Sequence, residues 1–151
     1  MYQELLSAGQ INYVTVGSHY VNGSQNGVPA DGKQIKIASA QIHPQFNIND
    51  TDSLWDVAVL KLERPSNYAP VKLPVAGDDK EEMCAGGVAG KGAWAGDMGD
   101  PLAKESTEGD ANDVLIGVNS AGDGCKSQGI PRVYSRVSAA LSWINPIING
   151  Q

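Results

Sequence analysis

Short segments with strand-like composition, each closed by a turn signal, most strongly limit the fold of this chain. Residues 11–17 and 34–42 alternate between apolar and polar residues and are rich in β-branched types, as in half-buried strands. Residues 114–118 and 133–137 are two further strand segments, and the mostly apolar residues 56–62 predict a buried strand. Gly, Pro and Asn-Gly or Asp-Gly signals separate these segments, so the pattern favours an all-β barrel or sandwich.

One helix is predicted at the end of the chain. Ser138 is placed to cap a helix over residues 139–144, because a serine oxygen accepts a hydrogen bond from the free N–H groups of a first helical turn. Pro146 follows closely and is expected to kink or shorten this helix. With 151 residues, the chain is about the length of one domain.

The charge balance argues against several classes of partner. The chain has 11 Lys and Arg against 17 Asp and Glu, a net charge of −6, and its basic residues form no stripe. Nucleic acid and anionic membranes are therefore unfavourable partners. No apolar run reaches the roughly 20 residues that span a bilayer, and the first residues show no signal peptide. The acidic residues 105–113 are either a solvated surface or a docking site for a basic partner.

A glycine-rich loop carries the clearest link to chemistry. Residues 96–102 read Gly-Asp-Met-Gly-Asp-Pro-Leu. This run resembles the nucleophile loop of chymotrypsin-like serine proteases, in which a serine stands at the place of Met98. A serine hydroxyl can lose its proton and attack a carbonyl carbon, whereas a thioether has no such proton and forms no acyl ester. The substitution therefore favours binding over peptide cleavage.

Three other parts of the chain carry the same resemblance, in the same order along the sequence. Residues 56–62 are similar to the strand that holds the catalytic aspartate of trypsin-like proteases. Residues 84–86 resemble the start of the run into the nucleophile, and residues 120–125 and 129–137 resemble the C-terminal barrel segment before the family's helix.

The resemblance implies an all-β fold, a truncated trypsin-like double β-barrel with a C-terminal helix. It implies a single pseudoprotease domain over residues 1–151. The N-terminal barrel part is expected at residues 11–74, and the C-terminal barrel part with the helix at residues 84–148.

The resemblance implies that the family's catalytic positions are still recognisable in this chain but no longer carry out catalysis. Asp56 stands at the place of the orienting acid, and Gly96 with the backbone N–H of Met98 stands at the oxyanion hole. The family's histidine strand has no counterpart, so the chain is not expected to be an enzyme. Asp97 lacks the N-terminal amine that neutralises it in active relatives. It is predicted to be exposed, paired with a new group or partly protonated, because a buried unpaired charge is costly.

Several residues that could belong to a functional site are expected to have a structural role instead. Asp97 and Asp100 are expected to be turn residues rather than a glycosidase pair. Trp55, Trp94 and Trp143 are expected to pack rather than to stack on sugars. His19 and His43 lack zinc-site spacing and are expected at the surface or in turns, so no metal or other cofactor is expected.

A branch of the family gives a closer resemblance. Residues 13–20, 84–91 and 133–148 resemble the glucanase inhibitor proteins of oomycete plant pathogens. This implies a secreted, catalytically inactive protease homologue that binds plant endo-β-1,3-glucanases and suppresses glucan-elicited defence. Two alternatives stay open: a residual trypsin-like serine endopeptidase and a degenerate paralogue without function.

Cysteines and sequons add two further expectations. Cys84 and Cys125 allow one disulfide at most. The spacing between Pro74 and Cys84 is several tens of residues shorter than in the family, which implies that the family's own disulfides are absent. Asn22 and Asn49 begin Asn-x-Ser/Thr sequons, which would be glycosylated only in a secreted protein.

Overall fold

The computed structural model places eight segments of the chain. The described residues are 11–18, 24–25, 28–29, 32–49, 55–75, 84–86, 97–120 and 131–150. The chain divides into two compact units, one formed by Met1–Ile42 with Ala58–Pro70 and the other by His43–Val57 with Val71–Gln151. No helix in these segments is long and apolar enough to cross a membrane.

The first unit is built around one long central strand. Its strands are β1 Tyr13–Val16, β2 Ser24–Gln25, β3 Val28–Pro29, β4 Lys33–Ile42 and β5 Ala58–Leu62. β1, β4 and β5 form an antiparallel sheet in the order β1-β4-β5, and β2 and β3 form a separate short hairpin. The register of β4 against β5 shifts between Ile37 and Ser39, which marks a bulge or irregularity.

Strand β1 shows how the predicted alternation becomes a sheet face. Tyr13 and Thr15 are exposed, while Val14 and Val16 are half-buried. On β4, Ile35 lies opposite Val14 and is only 4% exposed. Alternate residues of a strand point to opposite faces, so the apolar set of both strands faces the interior of this unit.

Strand β5 is less buried than the sequence predicts. Ala58 and Lys61 are exposed and the other residues of the strand are half-buried. Val57, directly before the strand, is the buried residue of this run at 8% exposed. The prediction of a buried strand is wrong because β5 lies at the edge of the three-stranded sheet and, among the described strands, pairs only with β4.

The second unit contains a four-stranded antiparallel sheet and the helix. Its strands are β6 Cys84–Gly86, β7 Pro101–Lys104, β8 Val114–Asn119 and β9 Pro131–Arg136, followed by α1 Val137–Asn149. The strand order is β6-β9-β8-β7. The extended segment at Lys72 adds an isolated parallel bridge to Val114 at the start of β8. The described elements confirm the predicted all-β class with a C-terminal helix.

The helix begins earlier and ends later than predicted. α1 starts at Val137 directly after β9, so Arg136 is the N-cap and the predicted cap at Ser138 is wrong. Pro146 lies inside the helix, which continues to Asn149. Pro146 has no N–H for the preceding turn, but it follows most of the helix and interrupts only the last turn. α1 packs against β8 and buries Val137 and Ala140, which are 2% and 1% exposed.

Candidate functional site

A tight turn forms the centre of the candidate site. Asp97, Met98, Gly99 and Asp100 make this turn directly before β7, with the N–H of Asp100 donating to the carbonyl oxygen of Asp97 at 3.1 Å. Gly99 has φ of 94°, and a positive φ at the third residue is typical of a type II turn, for which glycine carries no steric penalty. Asp97 and Met98 are half-buried, and Asp100 is exposed. The structure therefore places Asp97 and Asp100 as turn residues.

Asn119, the last residue of β8, holds this turn in place. Its backbone N–H donates to the oxygen of Asp100 at 2.8 Å, and its own oxygen accepts from the N–H of Gly99 at 2.8 Å. Its side-chain Nδ2 donates to the backbone oxygen of Asp97 at 2.6 Å. Asn119 thus makes three hydrogen bonds to the turn, and each of them restrains the backbone at a different residue. The sequence analysis did not select Asn119, although a polar residue at the end of an apolar strand was a visible signal.

Ser120 holds Asp56 at the same end of the sheet as this turn. Its hydroxyl donates to Oδ2 of Asp56 at 2.8 Å, across 64 residues of sequence. Its backbone N–H donates to the oxygen of Val133 on β9 at 3.2 Å, and the residue is 5% exposed. Asn119 and Ser120 are consecutive, so adjacent residues hold the Met98 turn and Asp56.

Two buried polar atoms accompany this arrangement. Oδ1 of Asn119 and Oγ of Ser135 are buried and have no hydrogen-bond partner among the described residues. The two residues are 2% and 1% exposed. A buried acceptor or donor without a partner costs about 1–3 kcal/mol, unless an ordered water completes it. Asn119 thus stabilises the turn through Nδ2 while its other side-chain atom works against stability.

His43 lies in an aromatic cluster rather than at the surface. Its ring stacks on Trp55 with centroids 4.5 Å apart and an interplanar angle of 9°, and it makes a T-shaped contact with Trp143 with centroids 4.9 Å apart. It is 5% exposed, and Nδ1 accepts from the N–H of Gln45 at 3.2 Å. Its carbonyl oxygen accepts from the N–H of Phe46, so the prediction of a turn position holds and that of a surface position is wrong. Burial lowers the pKa of the His43 imidazole below its ordinary value of 6.5.

The described residues do not assemble a catalytic triad. In the described part of the chain, no hydrogen bond joins His43 to Asp56, and the His43 ring packs against Trp55 and Trp143. Trp55 and Trp143 act as packing residues in this cluster, as predicted. In the same part of the chain, no group of three His, Cys, Asp or Glu side chains is placed to hold a metal ion.

Other predicted positions are only partly visible. Gly96, His19, Trp94, Asn22 and Cys125 lie outside the described residues. Asn49 is described and exposed, next to the exposed Ile48, and its N–H donates to Oδ1 of Asn47 at 3.1 Å. The side chain of this sequon asparagine is therefore at the surface.

The acidic loop between β7 and β8 is an ordered surface feature. Oδ1 of Asp113 accepts from the N–H of Ser106 at 2.8 Å, which closes the base of the loop. Nζ of Lys72 donates to Oδ1 of Asn112 at 2.5 Å, and the backbone N–H of Lys72 donates to the oxygen of Asp113 at 3.1 Å. These contacts present the exposed Glu105, Glu108 and Asp110 on a fixed backbone.

Comparison with known proteins gives matches over most of the chain. The sequence profile of the family described as Trypsin matches residues 76–144. Glucanase inhibitor protein 2 of Phytophthora sojae is 39% identical over 184 residues, covering 91% of this chain and 62% of that protein. Glucanase inhibitor protein 3 of Phytophthora sojae (strain P6497) is 37% identical over 184 residues, covering 91% and 68%. Glucanase inhibitor protein 3 of Phytophthora infestans is 38% identical over 187 residues, covering 93% and 69%. The chain thus spans 62–69% of the length of these relatives.

The alignment lengths also reveal a size difference. The alignment with the first relative runs over 184 residues, whereas this chain has 151, and only 91% of the chain takes part. The aligned stretch of the relative therefore contains about 47 positions that this chain lacks. The short spacing between Pro74 and Cys84 is the predicted place of this difference.

Proposed function

Because this chain belongs to the trypsin-like family, in the branch of the glucanase inhibitor proteins, we propose that it is a catalytically inactive protease homologue that binds a plant endo-β-1,3-glucanase and inhibits it. The relatives are named as inhibitors of glucanases. A secreted protein acting this way suppresses the release of glucans that elicit plant defence.

The observation that supports the proposal is an ordered turn with a methionine at the position where the family resemblance places a serine. Met98 is half-buried in a turn that Asn119 fixes, and Ser120 keeps Asp56 at the same end of the sheet. A thioether at this position supplies neither a nucleophile nor a proton. A turn that is already ordered can nevertheless be recognised by a partner at a small entropic cost, because little backbone freedom is lost on binding.

The acidic loop between β7 and β8 supports association with a basic partner surface. A stable interface of standard size needs about 800 Å² from each partner, so the loop alone is too small and serves as one part of the contact. Its exposed Glu105, Glu108 and Asp110 produce a negative local field. Such a field raises the association rate at low salt more than it raises affinity.

The proposal is tested with the purified chain and a purified plant endo-β-1,3-glucanase. Isothermal titration calorimetry at about 20 mM salt, where screening is weak, measures association. The release of reducing sugar from a β-1,3-glucan measures inhibition in the same mixtures. We expect one-to-one binding and a hydrolysis rate that falls with the bound fraction of the glucanase.

A charge variant and a matched control locate the contact. Glu105→Gln with Glu108→Gln removes two carboxylates from the loop, and we expect the association rate at low salt to fall several-fold. Glu63→Gln removes an exposed carboxylate of the first unit and is expected to change the rate little. A folded chain that gives no binding heat and leaves glucan hydrolysis unchanged at saturating concentration refutes the proposal.

A further inference from the structure

A shallow cleft lies in the first unit, between the start of β4 and the segment that follows β5. The space enclosed by its walls is about 20 Å³, and Lys33, Ile35, Arg64, Ser66 and Tyr68 contribute to its lining. A space of this size holds about one water-sized group, far less than the roughly 300–1,000 Å³ of small-molecule pockets. The cleft is therefore a shallow surface notch that can receive one small charged group, such as a carboxylate, but not a cofactor.

The walls of the cleft are positioned by backbone contacts. Lys33 pairs with Val16 at the first position of the β1–β4 ladder. Nη2 of Arg64 donates to the backbone oxygen of Gln34 at 3.1 Å, which brings the guanidinium group beside the start of β4. The buried Ile35, at 4% exposed, provides apolar surface at the same site.

An aromatic ring completes the lining. The N–H of Tyr68 donates to Oγ of Ser66 at 3.1 Å, which fixes the turn that carries the ring. Cζ of Tyr68 lies only 2.0 Å from the place that a Cβ would take at Gly17, whose φ is 71°. A glycine at this position therefore permits the ring to lie against β1 and close one side of the cleft.

The cleft is basic within an acidic chain. Among the described residues, no ion pair is recorded for Lys33 or Arg64, although Arg64 donates to the oxygen of Gln34. In the sequence, the first unit has four Lys and Arg against three Asp and Glu, whereas the second unit has seven against fourteen. The excess of negative charge thus belongs to the second unit, and the cleft offers two cations beside an apolar floor.

We propose that this cleft binds a carboxylate side chain of an acidic segment in a partner protein. The planar guanidinium of Arg64 has donors left after its bond to Gln34 and can hold a carboxylate through two of them, while the ammonium of Lys33 adds a second contact. The ring of Tyr68, which is 49% exposed, offers apolar surface beside this carboxylate. Nucleic acid fits poorly, because the net charge of −6 repels a polyanion and two cations neutralise little of it.

The site is tested with the whole chain and a synthetic peptide, without any glucanase. The probe is a capped hexapeptide of alternating leucine and glutamate, and the matched control peptide has glutamine in place of each glutamate. Nuclear magnetic resonance follows the backbone amides during titration. We expect saturable shifts centred on Lys33, Arg64 and Tyr68 with the glutamate peptide and none with the glutamine peptide.

Two variants that each lose one positive charge distinguish binding in the cleft from general electrostatic attraction to the chain. Lys33→Gln is expected to weaken peptide binding about fivefold, the effect of one partly exposed ion pair. Lys61→Gln lies on β5 outside the cleft and is expected to leave binding within about twofold. Equal effects of both variants, or no localised shifts in the unaltered chain, overturn the proposal. Neither outcome bears on glucanase inhibition, which the peptide experiment does not involve.

Discussion

The hydrogen bond between Ser120 and Asp56 is expected to support the fold. Ser120→Ala removes the hydroxyl that donates to Oδ2 of Asp56 at 2.8 Å. Hydrogen bonds to charged groups contribute about 1.5–3 kcal/mol. Asp56 is half-buried, so water can partly replace the lost donor and we expect a loss near the lower end, about 1.5 kcal/mol.

This loss is large enough to measure by two methods. For a domain of about 150–250 residues, 1 kcal/mol shifts Tm by about 2–4 °C, so the variant is expected to melt about 3–6 °C lower. Urea unfolding followed by tryptophan fluorescence reports on the same unit, because Trp55 and Trp143 lie in it. The control Ser142→Ala, at an exposed helix position, is expected to stay within about 0.5 kcal/mol of the unaltered chain.

A double-mutant cycle assigns the loss to the bond itself. Asp56→Ala removes the acceptor and leaves the hydroxyl of Ser120, a residue 5% exposed, without its partner. Because the bond can be lost only once, the double variant is expected to lose about 1.5 kcal/mol less than the sum of the single losses. A coupling near zero, or a Ser120→Ala variant as stable as the Ser142→Ala control, refutes the reasoning that this pair supports the fold.

Three further predictions follow from other contacts. Because burial lowers the pKa of His43, the unfolded chain takes up the proton first as pH falls below 6.5, so stability decreases on acidification. His43→Phe is expected to reduce the change of the urea midpoint with pH between about pH 7.5 and about pH 5.5. A pH dependence equal to that of the unaltered chain contradicts this. Gly17→Ala and Gly99→Ala each strain a positive φ at about 1 kcal/mol. Only Gly17→Ala displaces the Tyr68 ring, which near-ultraviolet circular dichroism detects; equal spectra count against the proposed contact. Met98→Ser is expected to remain unlabelled by a serine-directed phosphonate, because the one histidine in the described part of the chain, His43, packs against two tryptophans, and stoichiometric labelling contradicts that view.

Alternation of apolar and polar residues along the sequence predicted the strands whose buried face is set by residues close together in the chain. β1 and β4 were visible because their apolar residues alternate, and the end of β4 was visible because His43-Pro44 follows it. The start of α1 was not visible, since β9 runs directly into Val137 and no side chain caps the helix. The exposure of β5 was also hidden, because it depends on where a strand lies in its sheet.

The candidate site was predictable as a loop but not as a hydrogen-bonded arrangement. Met98 and Asp56 were selected by their sequence context, whereas the contacts that position them connect residues 22 and 64 positions apart. The burial of His43 depends in the same way on Trp55 and Trp143, which come from separate parts of the chain. Sequence patterns report periodicity over short windows and do not specify such pairings.

In the turn from Asp97 to Asp100, the backbone shape and the side-chain chemistry depend on different groups. Its shape is held by main-chain atoms and by the amide of Asn119, and the side chain of Met98 takes no part in the described hydrogen bonds. A change of the side chain at position 98 therefore needs no compensating change in the scaffold. Selection on the chemistry of this side chain and selection on the shape of the turn can act independently of each other.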